Sequence, residues 1–166
     1  MDLLIVRHGL AGSREEFAKT GQSDDLRPLT KKGVEDMKTV ARGLREIVPR
    51  VDVLVTSPLA RARETADIVA QTYDLQVGES DALRPDAEFE EFVNWARRQP
   101  EDSVVAAFGH EPHLSGLVAF LIGESGDARI DLKKGGSCLL KFDDLPKRGR
   151  GTLRWLLTPS IARTVR

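Results

Sequence analysis

Short apolar runs alternate with amphipathic segments over the first two thirds of the chain, and this alternation constrains the fold more than any other feature. Three runs have the length and β-branched content of buried strands, namely Leu3–Val6, Val51–Thr56 and Ser103–Phe108. Strands separated by helices pair in parallel and take helices on both faces of the sheet. The pattern therefore predicts an α/β fold, a three-layer sandwich around a mostly parallel sheet.

Four segments place apolar residues at spacings of three and four, which predicts amphipathic helices. Thr30 suits the N-cap of the first helix, and Ser57 suits the N-cap of the second, with Pro58 as its first residue. The predicted helices cover residues 30–48, Pro58–Tyr73, Ala87–Arg98 and Pro112–Ile122.

The C-terminal third has a different pattern. Two strand-like runs, Ser137–Phe142 and Thr152–Leu157, are joined by a segment rich in glycine, proline and aspartate. Such a segment favours a turn between antiparallel strands. We expect a hairpin at or near one edge of the sheet.

Length and composition exclude several classes of protein. The 166 residues contain neither a repeat nor a break in composition, which predicts one domain over residues 1–166. A formal net charge of -1 argues against a nucleic-acid binder. Cys138 is the only cysteine, so an internal disulfide is excluded and a reducing compartment is compatible. The apolar runs are too short for a signal peptide or a membrane span, so we expect a cytoplasmic protein that does not act at a membrane.

Arginine or histidine side chains follow each of the three predicted parallel strands. The segments are "VRHG", "TSPLARARETA" and "FGHEPH". The carboxyl ends of parallel strands form the binding crevice of an open α/β sheet. We therefore expect Arg7, His8, Arg61 and His110 to line one pocket.

Each of these residues also has an ordinary explanation. Arg7 and His8 are typical of a solvated strand end, and Arg61 is typical of an exposed helical turn with surface ion pairs. His110 suits a helix cap or a buried histidine with its hydrogen bonds satisfied. The arrival of two arginines and two histidines at the same sheet edge weighs against four independent explanations.

This combination suits a phosphoryl group. Arginine binds phosphate oxygens in a bidentate manner and stays charged. A neutral histidine is a nucleophile near pH 7, and a second, protonated histidine would stabilise charge on the transferred oxygens. Gly9 lets the backbone turn close to a phosphate. The spacing of His110 and His113 is weak support for zinc, since the sequence has no further clustered ligands, so no metal is expected.

Four motifs in order resemble the histidine phosphatase superfamily, which includes the cofactor-dependent phosphoglycerate mutases. They are "VRHG", "RPLTKKG", "TSPLARARETA" and "GHEP". The resemblance implies that His8 is the nucleophile that forms a phosphohistidine, that Arg7 and Arg61 hold the phosphoryl oxygens, and that His110 completes the pocket. Water would then release phosphate. Ser57 would add a hydrogen bond to the phosphate, or would only cap its helix.

The short chain, the "SDDLRPLT" stretch and the terminal hairpin resemble the SixA-type phosphohistidine phosphatases. This resemblance implies an open groove without a large lid insertion, and a substrate histidine on a signalling phosphotransfer protein. Two alternatives remain open: a phosphatase for small phosphoesters or phosphoanhydrides, and a module that binds phosphate without turnover. The pair of histidines argues against the second alternative, because binding alone requires no nucleophile.

Three features have no definite role in the sequence. Asp86 and Glu88 are candidate general acids, or residues that stabilise a helix N-terminus through its dipole. Without a general acid, P–N substrates are favoured, because imidazole is a better leaving group than an alkoxide. His113 either reaches the mouth of the pocket or faces solvent. The polar loop Leu10–Leu26 either lines the substrate groove or is a mobile surface loop.

Overall fold

The computed structural model describes residues 1–123 and 128–165, and within them six strands and six helices are present. The strands are β1 (Asp2–Arg7), β2 (Val53–Thr56), β3 (Val77–Glu79), β4 (Val104–Gly109), β5 (Ser137–Lys141) and β6 (Thr152–Leu157). The helices are α1 (Arg14–Ala18), α2 (Lys31–Ile47), α3 (Ala60–Tyr73), α4 (Phe89–Ala96), α5 (His113–Ile122) and α6 (Pro159–Ala162). Two 3-10 helices, Asp24–Leu26 and Asp81–Leu83, lie in the connections.

The strands form one mixed sheet in the order β3-β2-β4-β1-β5-β6. β3, β2, β4 and β1 are parallel, whereas β5 pairs antiparallel with both β1 and β6. The predicted α/β architecture is confirmed, including a C-terminal hairpin whose second strand is an edge of the sheet.

Two apolar cores lie on opposite faces of the sheet, as expected for a three-layer fold. In β1, Leu3 and Ile5 join the core formed with α4 and α5, whereas Leu4 and Val6 join the core formed with α2 and α3. All four side chains are fully buried. Each such aliphatic side chain contributes about 1.5–3 kcal/mol by leaving water. The carboxyl end of β1 is therefore held firmly from both faces.

The helix boundaries agree with the sequence at some ends and differ at others. Thr30 is the N-cap of α2, and its hydroxyl accepts a hydrogen bond from the Gly33 amide at 2.9 Å. The prediction of Ser57 as an N-cap was wrong, because α3 begins only at Ala60 and Leu59 occupies the N-cap position. The third helix is also shorter than predicted, spanning Phe89–Ala96.

Several short elements were absent from the sequence prediction, namely β3, α1, α6 and the two 3-10 helices. The three-residue strand β3 is too short to give a periodic pattern. The region predicted as the loop Leu10–Leu26 contains the short helix α1 and the 3-10 helix Asp24–Leu26. Both helices are capped by serine side chains, since Ser13 and Ser23 accept hydrogen bonds from the amides of Glu16 and Asp25.

The most apolar helix, α5, has 10 residues, about half the length that a bilayer requires. Across residues 1–123 and 128–165, none of the helices combines the length and the apolar content of a membrane span.

Candidate functional site

The site lies at the carboxyl ends of three adjacent parallel strands. His8 follows β1, His110 follows β4 and Ser57 follows β2. The backbone amide of His8 donates to the Gly109 carbonyl at 3.0 Å, which continues the pairing of β1 with β4 beyond the strands. This pairing brings the two histidine rings together, with centroids 5.2 Å apart and planes tilted by 52°.

His8 is held in one tautomer by its own loop. Its Nδ1–H donates to the carbonyl oxygen of Gly9 at 2.7 Å, so Nε2 carries the lone pair in the neutral ring. Burial and, to a smaller extent, the charges of Arg61 and Arg7 lower the pKa of His8 to about 4, against the opposing effect of the Gly9 hydrogen bond. At pH 7 the side chain is therefore a neutral imidazole whose Nε2 carries no proton.

His110 is also neutral, which corrects the prediction of a protonated second histidine. Burial, followed by the charge of Arg61, lowers the pKa of His110 to about 2. Its Nε2 lies 2.9 Å from the hydroxyl oxygen of Ser57. The Ser57 side chain is fully buried and orients the His110 ring instead of capping α3.

The two arginines use their outer nitrogens for structural hydrogen bonds. Arg7 donates through NH1 to the Leu132 carbonyl at 2.7 Å, and Arg61 donates through NH1 to the Asp24 carbonyl at 2.9 Å. Their Nε atoms, and Nδ1 of His110, are buried without a hydrogen-bond partner in the described part of the chain. The two arginine Nε atoms are donors, and a buried donor is costly unless an acceptor meets it. A phosphoryl group supplies such acceptors.

Gly9 joins the loop after β1 to the neighbouring helices. Its amide donates to the hydroxyl of Thr65 at 3.0 Å, and that hydroxyl donates to the carbonyl of Arg61 at 2.7 Å. A Cβ at position 9 would lie 2.6 Å from Cγ of Met37. The close approach of α2 therefore requires glycine here, while the predicted contact with phosphate stays a prediction.

Two charged residues of the site, Asp24 and Arg27, were not predicted. The Asp24 carboxylate lies 2.7 Å from Nε of Arg27, 3.1 Å from NH2 of Arg14 and 3.4 Å from NH2 of Arg61. The hydrogen bond from Arg27 holds the pKa of Asp24 well below its usual range, so the carboxylate is ionised.

Arg27 adds a third guanidinium near the histidines. Its side chain is 11% exposed, and its NH1 donates to the Gly12 carbonyl at 2.7 Å. Its charge contributes to the lowered pKa values of both His8 and His110. Nothing in the pattern of the "SDDLRPLT" stretch indicates that this segment folds back against α3.

Asp86 and Glu88 precede or begin α4, and both side chains are exposed. Glu88 occupies the N-cap position of α4 without a capping hydrogen bond from its side chain. Their role as general acids stays a prediction.

His113 does not face solvent, so that alternative was wrong. It is the first residue of α5, is 4% exposed, and its ring centroid lies 5.3 Å from that of Phe89. Burial lowers the pKa of His113. Within residues 1–123 and 128–165 there is no group of three or more histidine, cysteine or acidic side chains suited to a metal ion.

Comparison with known proteins decides the family. The model of the histidine phosphatase superfamily (branch 1) matches residues 3–128, a range that includes Arg7, His8, Arg61 and His110. The chain belongs to the histidine phosphatase superfamily.

Relatives of this superfamily member differ in how much of their length they share with it. An uncharacterised protein of Picosynechococcus sp. is 34% identical over 143 residues, which is 82% of each chain. The mitochondrial serine/threonine-protein phosphatase Pgam5 of Drosophila melanogaster is 32% identical over 74 residues, 45% of this chain and 24% of Pgam5. The chain therefore spans about a quarter of the length of Pgam5.

Several solved structures of phosphatases have a similar fold over nearly the whole chain. The protein histidine phosphatase SixA complexed with tungstate gives a TM-score of 0.83 at 23% identity, covering 97% of this chain and 99% of SixA. A candidate SixA phosphohistidine phosphatase of Nakamurella multipartitia gives 0.78 at 25% identity, with 95% of both chains covered. A phosphoserine phosphatase of Entamoeba histolytica gives 0.62 at 16% identity, covering 95% of this chain and 97% of that chain. These likenesses establish the common fold.

Proposed function

We propose that this superfamily member is a metal-independent phosphatase that hydrolyses phosphohistidine on a protein, with phospho-His8 as the covalent intermediate. The observation that carries the proposal is the neutral charge and fixed tautomer of the His8 ring. Its Nδ1–H donates to the Gly9 carbonyl, which leaves Nε2 of the neutral ring as the nucleophile beside His110, the buried Arg61 and the half-buried Arg7.

In the first step, the lone pair of His8 Nε2 attacks phosphorus and the P–N bond of the substrate histidine breaks. The electron pair of that bond stays on the substrate imidazole, which then takes a proton from solvent. Arg7 and Arg61 meet the phosphoryl oxygens with their unpartnered Nε donors. Their positive charge stabilises the oxygens in the transition state, where the phosphoryl group is in transfer.

In the second step, a water molecule attacks the phosphorus of phospho-His8. The bond from phosphorus to Nε2 breaks, its electron pair returns to the ring, and the proton released by water passes to solvent or to phosphate. The lowered pKa of His8 favours this return to the neutral ring. The enzyme is then ready for another substrate.

The acids around the site favour a P–N substrate over an alcohol ester. An alkoxide leaving group requires a proton donor, whereas an imidazole leaves more readily. Asp24 is held ionised by Arg27, so it is a poor donor, and Asp86 and Glu88 are exposed. The fold likeness to SixA, whose structure holds the oxyanion tungstate, supports the same substrate class. A phosphotransfer protein in a cytoplasmic signalling pathway is the partner that fits this reading.

The test compares wild type, His8→Ala and His113→Leu on two kinds of substrate. These are a phosphotransfer protein labelled on histidine and a simple aryl or sugar phosphate. We expect rapid release of phosphate from the labelled protein, slow release from the small ester, and no turnover by His8→Ala. His113→Leu is a matched control, because His113 is a buried histidine next to the site whose ring packs against Phe89.

A phosphoenzyme trapped during turnover should be labile in acid and stable in alkali, as expected for a phosphoramidate. Turnover retained by His8→Ala would exclude the covalent mechanism. A strong preference for the small phosphate ester would instead support the alternative substrate class.

A further inference from the structure

Asp24 occupies an unusual position for an acidic residue in a phosphatase site. Its carboxylate faces three guanidiniums, those of Arg14, Arg27 and Arg61. Its backbone carbonyl accepts a further hydrogen bond from Arg61 NH1. One loop residue therefore binds Arg61 through both its backbone and its side chain.

The contacts of Arg61 divide its guanidinium into two edges. NH1 and NH2 face Asp24, with distances of 2.9 Å to its carbonyl and 3.4 Å to its carboxylate. The Nε edge is buried and has no partner in the described residues. Asp24 thus binds the outer edge, which is formed by NH1 and NH2, and leaves the inner edge at Nε free for an anion.

Arg27 is held by the same carboxylate. Its Nε donates to Oδ1 of Asp24 at 2.7 Å, its NH2 lies 3.5 Å from Oδ2, and its NH1 is bound to the Gly12 carbonyl. A guanidinium bound along a carboxylate in this way has little rotational freedom.

Arg27 and Arg61 repel each other. Burial, followed by the charge of Arg27, lowers the pKa of Arg61, whereas Asp24 raises it. Without a compensating anion, the free energy of two like charges is lowered when they separate. The Asp24 carboxylate offsets this repulsion where the two side chains meet.

We propose that Asp24 is a positioning residue, which keeps Arg27 and Arg61 side by side and aims the inner edge of Arg61 at the phosphoryl group. This inference rests on the proposed function and deepens it by assigning a role to the loop after β1. It has a clear opposite: a carboxylate on phosphate-binding arginines would compete with the substrate as an internal anion. The two roles predict effects of opposite sign.

The experiment measures tungstate binding by isothermal titration calorimetry, and hydrolysis kinetics, for wild type, Asp24→Asn and Asp25→Asn. Asp25 is the matched control, because it lies in the same loop but its carboxylate pairs with Arg84, at 2.7 Å, in a partly exposed ion pair. We expect Asp24→Asn to raise the Kd for tungstate and the KM by about tenfold, with kcat changed less than threefold. Asp25→Asn should stay within twofold of wild type.

A second variant, Asp24→Glu, keeps the charge and shifts its position. We expect it to recover part of the lost affinity, which a loss of fold would not allow. Its tungstate affinity also tests the proposal if Asp24→Asn does not fold, since a longer carboxylate should misplace both arginines and weaken binding by at least twofold.

Tighter tungstate binding by Asp24→Asn would overturn the proposal in favour of an internal competitor. Equal affinities of Asp24→Asn and wild type would overturn it as well. Failure of the proposed function gives a different result, since wild type itself would then fail to hydrolyse phosphohistidine, whatever the order of the tungstate affinities.

Discussion

The site is built from two regions that are held by different forces. Arg7, His8 and His110 stand at strand ends, where the hydrogen bonds of the sheet and two apolar cores restrain the backbone. Asp24 and Arg27 belong to the loop after β1, where ion pairs and backbone carbonyls restrain the side chains.

The two regions also differ in burial. Residues Leu3–Val6 of β1 are fully buried, whereas α1 in the loop has no buried residue. Exposed ion pairs contribute at most about 1 kcal/mol each, so the loop is the less stable region and opens more easily. The comparison indicates that the sheet positions the histidines, whereas the loop positions the charged side chains of Asp24 and Arg27.

Arg61 should give the largest effect, because it belongs to both regions. It lies in the first turn of α3, 3% exposed, and contacts Asp24. We expect Arg61→Ala to lower kcat/KM by about 1000-fold, since it removes a buried donor to the transition state and leaves Asp24 with fewer partners. Steady-state kinetics measure this.

Arg63→Ala provides the control for Arg61→Ala. Arg63 is on the same helix, and its partners are Asp67 and Glu79 on the surface. Its kcat/KM should stay within twofold of wild type. A similar loss in both variants would mean that the charge of α3, and not the buried contact, is responsible.

Gly33→Ala tests how tightly the loop is joined to the rest of the protein. A Cβ at Gly33 would lie 2.1 Å from the Leu10 carbonyl oxygen, so α2 and the start of the loop must separate. We expect a loss of roughly 2 kcal/mol in the free energy of unfolding, measured by urea denaturation, together with a higher KM. Gly12→Ala should be nearly neutral, because its Cβ would meet nothing within 4 Å. Equal stabilities of the two variants would contradict the prediction.

Arg27→Lys should affect binding more than chemistry. Lysine keeps the charge but loses the fork that binds Asp24 and the Gly12 carbonyl. We expect the KM and the Kd for tungstate to rise about tenfold with little change in kcat, as measured by kinetics and calorimetry. A loss confined to kcat would place Arg27 among the groups that act only in the transition state.

The smallest effect concerns protonation of the histidines held by the sheet. The folded protein keeps His8 neutral down to about pH 4, whereas an unfolded histidine binds a proton near pH 6.5. Between these values the unfolded state binds more protons, so stability falls as the pH is lowered.

From pH 7 to 5.5, His8 accounts for about 1 kcal/mol of this loss. The loss should therefore be smaller by that amount in His8→Asn, as measured by urea denaturation at both pH values. The same loss in both proteins would mean that His8 is not kept neutral by the fold.

The sequence predicted those features that follow from local periodicity and motif. The runs at β1 and β4, the hairpin strand Thr152–Leu157 and the N-cap at Thr30 lie where their patterns indicate. The short strand β3 and the helix α1 carry too few residues for a periodic signal. The cap at Ser57 was mispredicted because a serine before proline has the same local pattern whether it caps a helix or binds a distant histidine.

The amino-acid sequence by itself determined the alternation of strands and helices, and thereby the edge at which Arg7, His8 and His110 emerge. It determined this because the periodicity of apolar residues dictates which elements form and which faces they bury. Only the tertiary structure decided that both histidines are neutral, since burial and neighbouring guanidiniums set their pKa values. It also decided that Asp24 meets Arg61, a contact between residues 37 apart that no local pattern encodes.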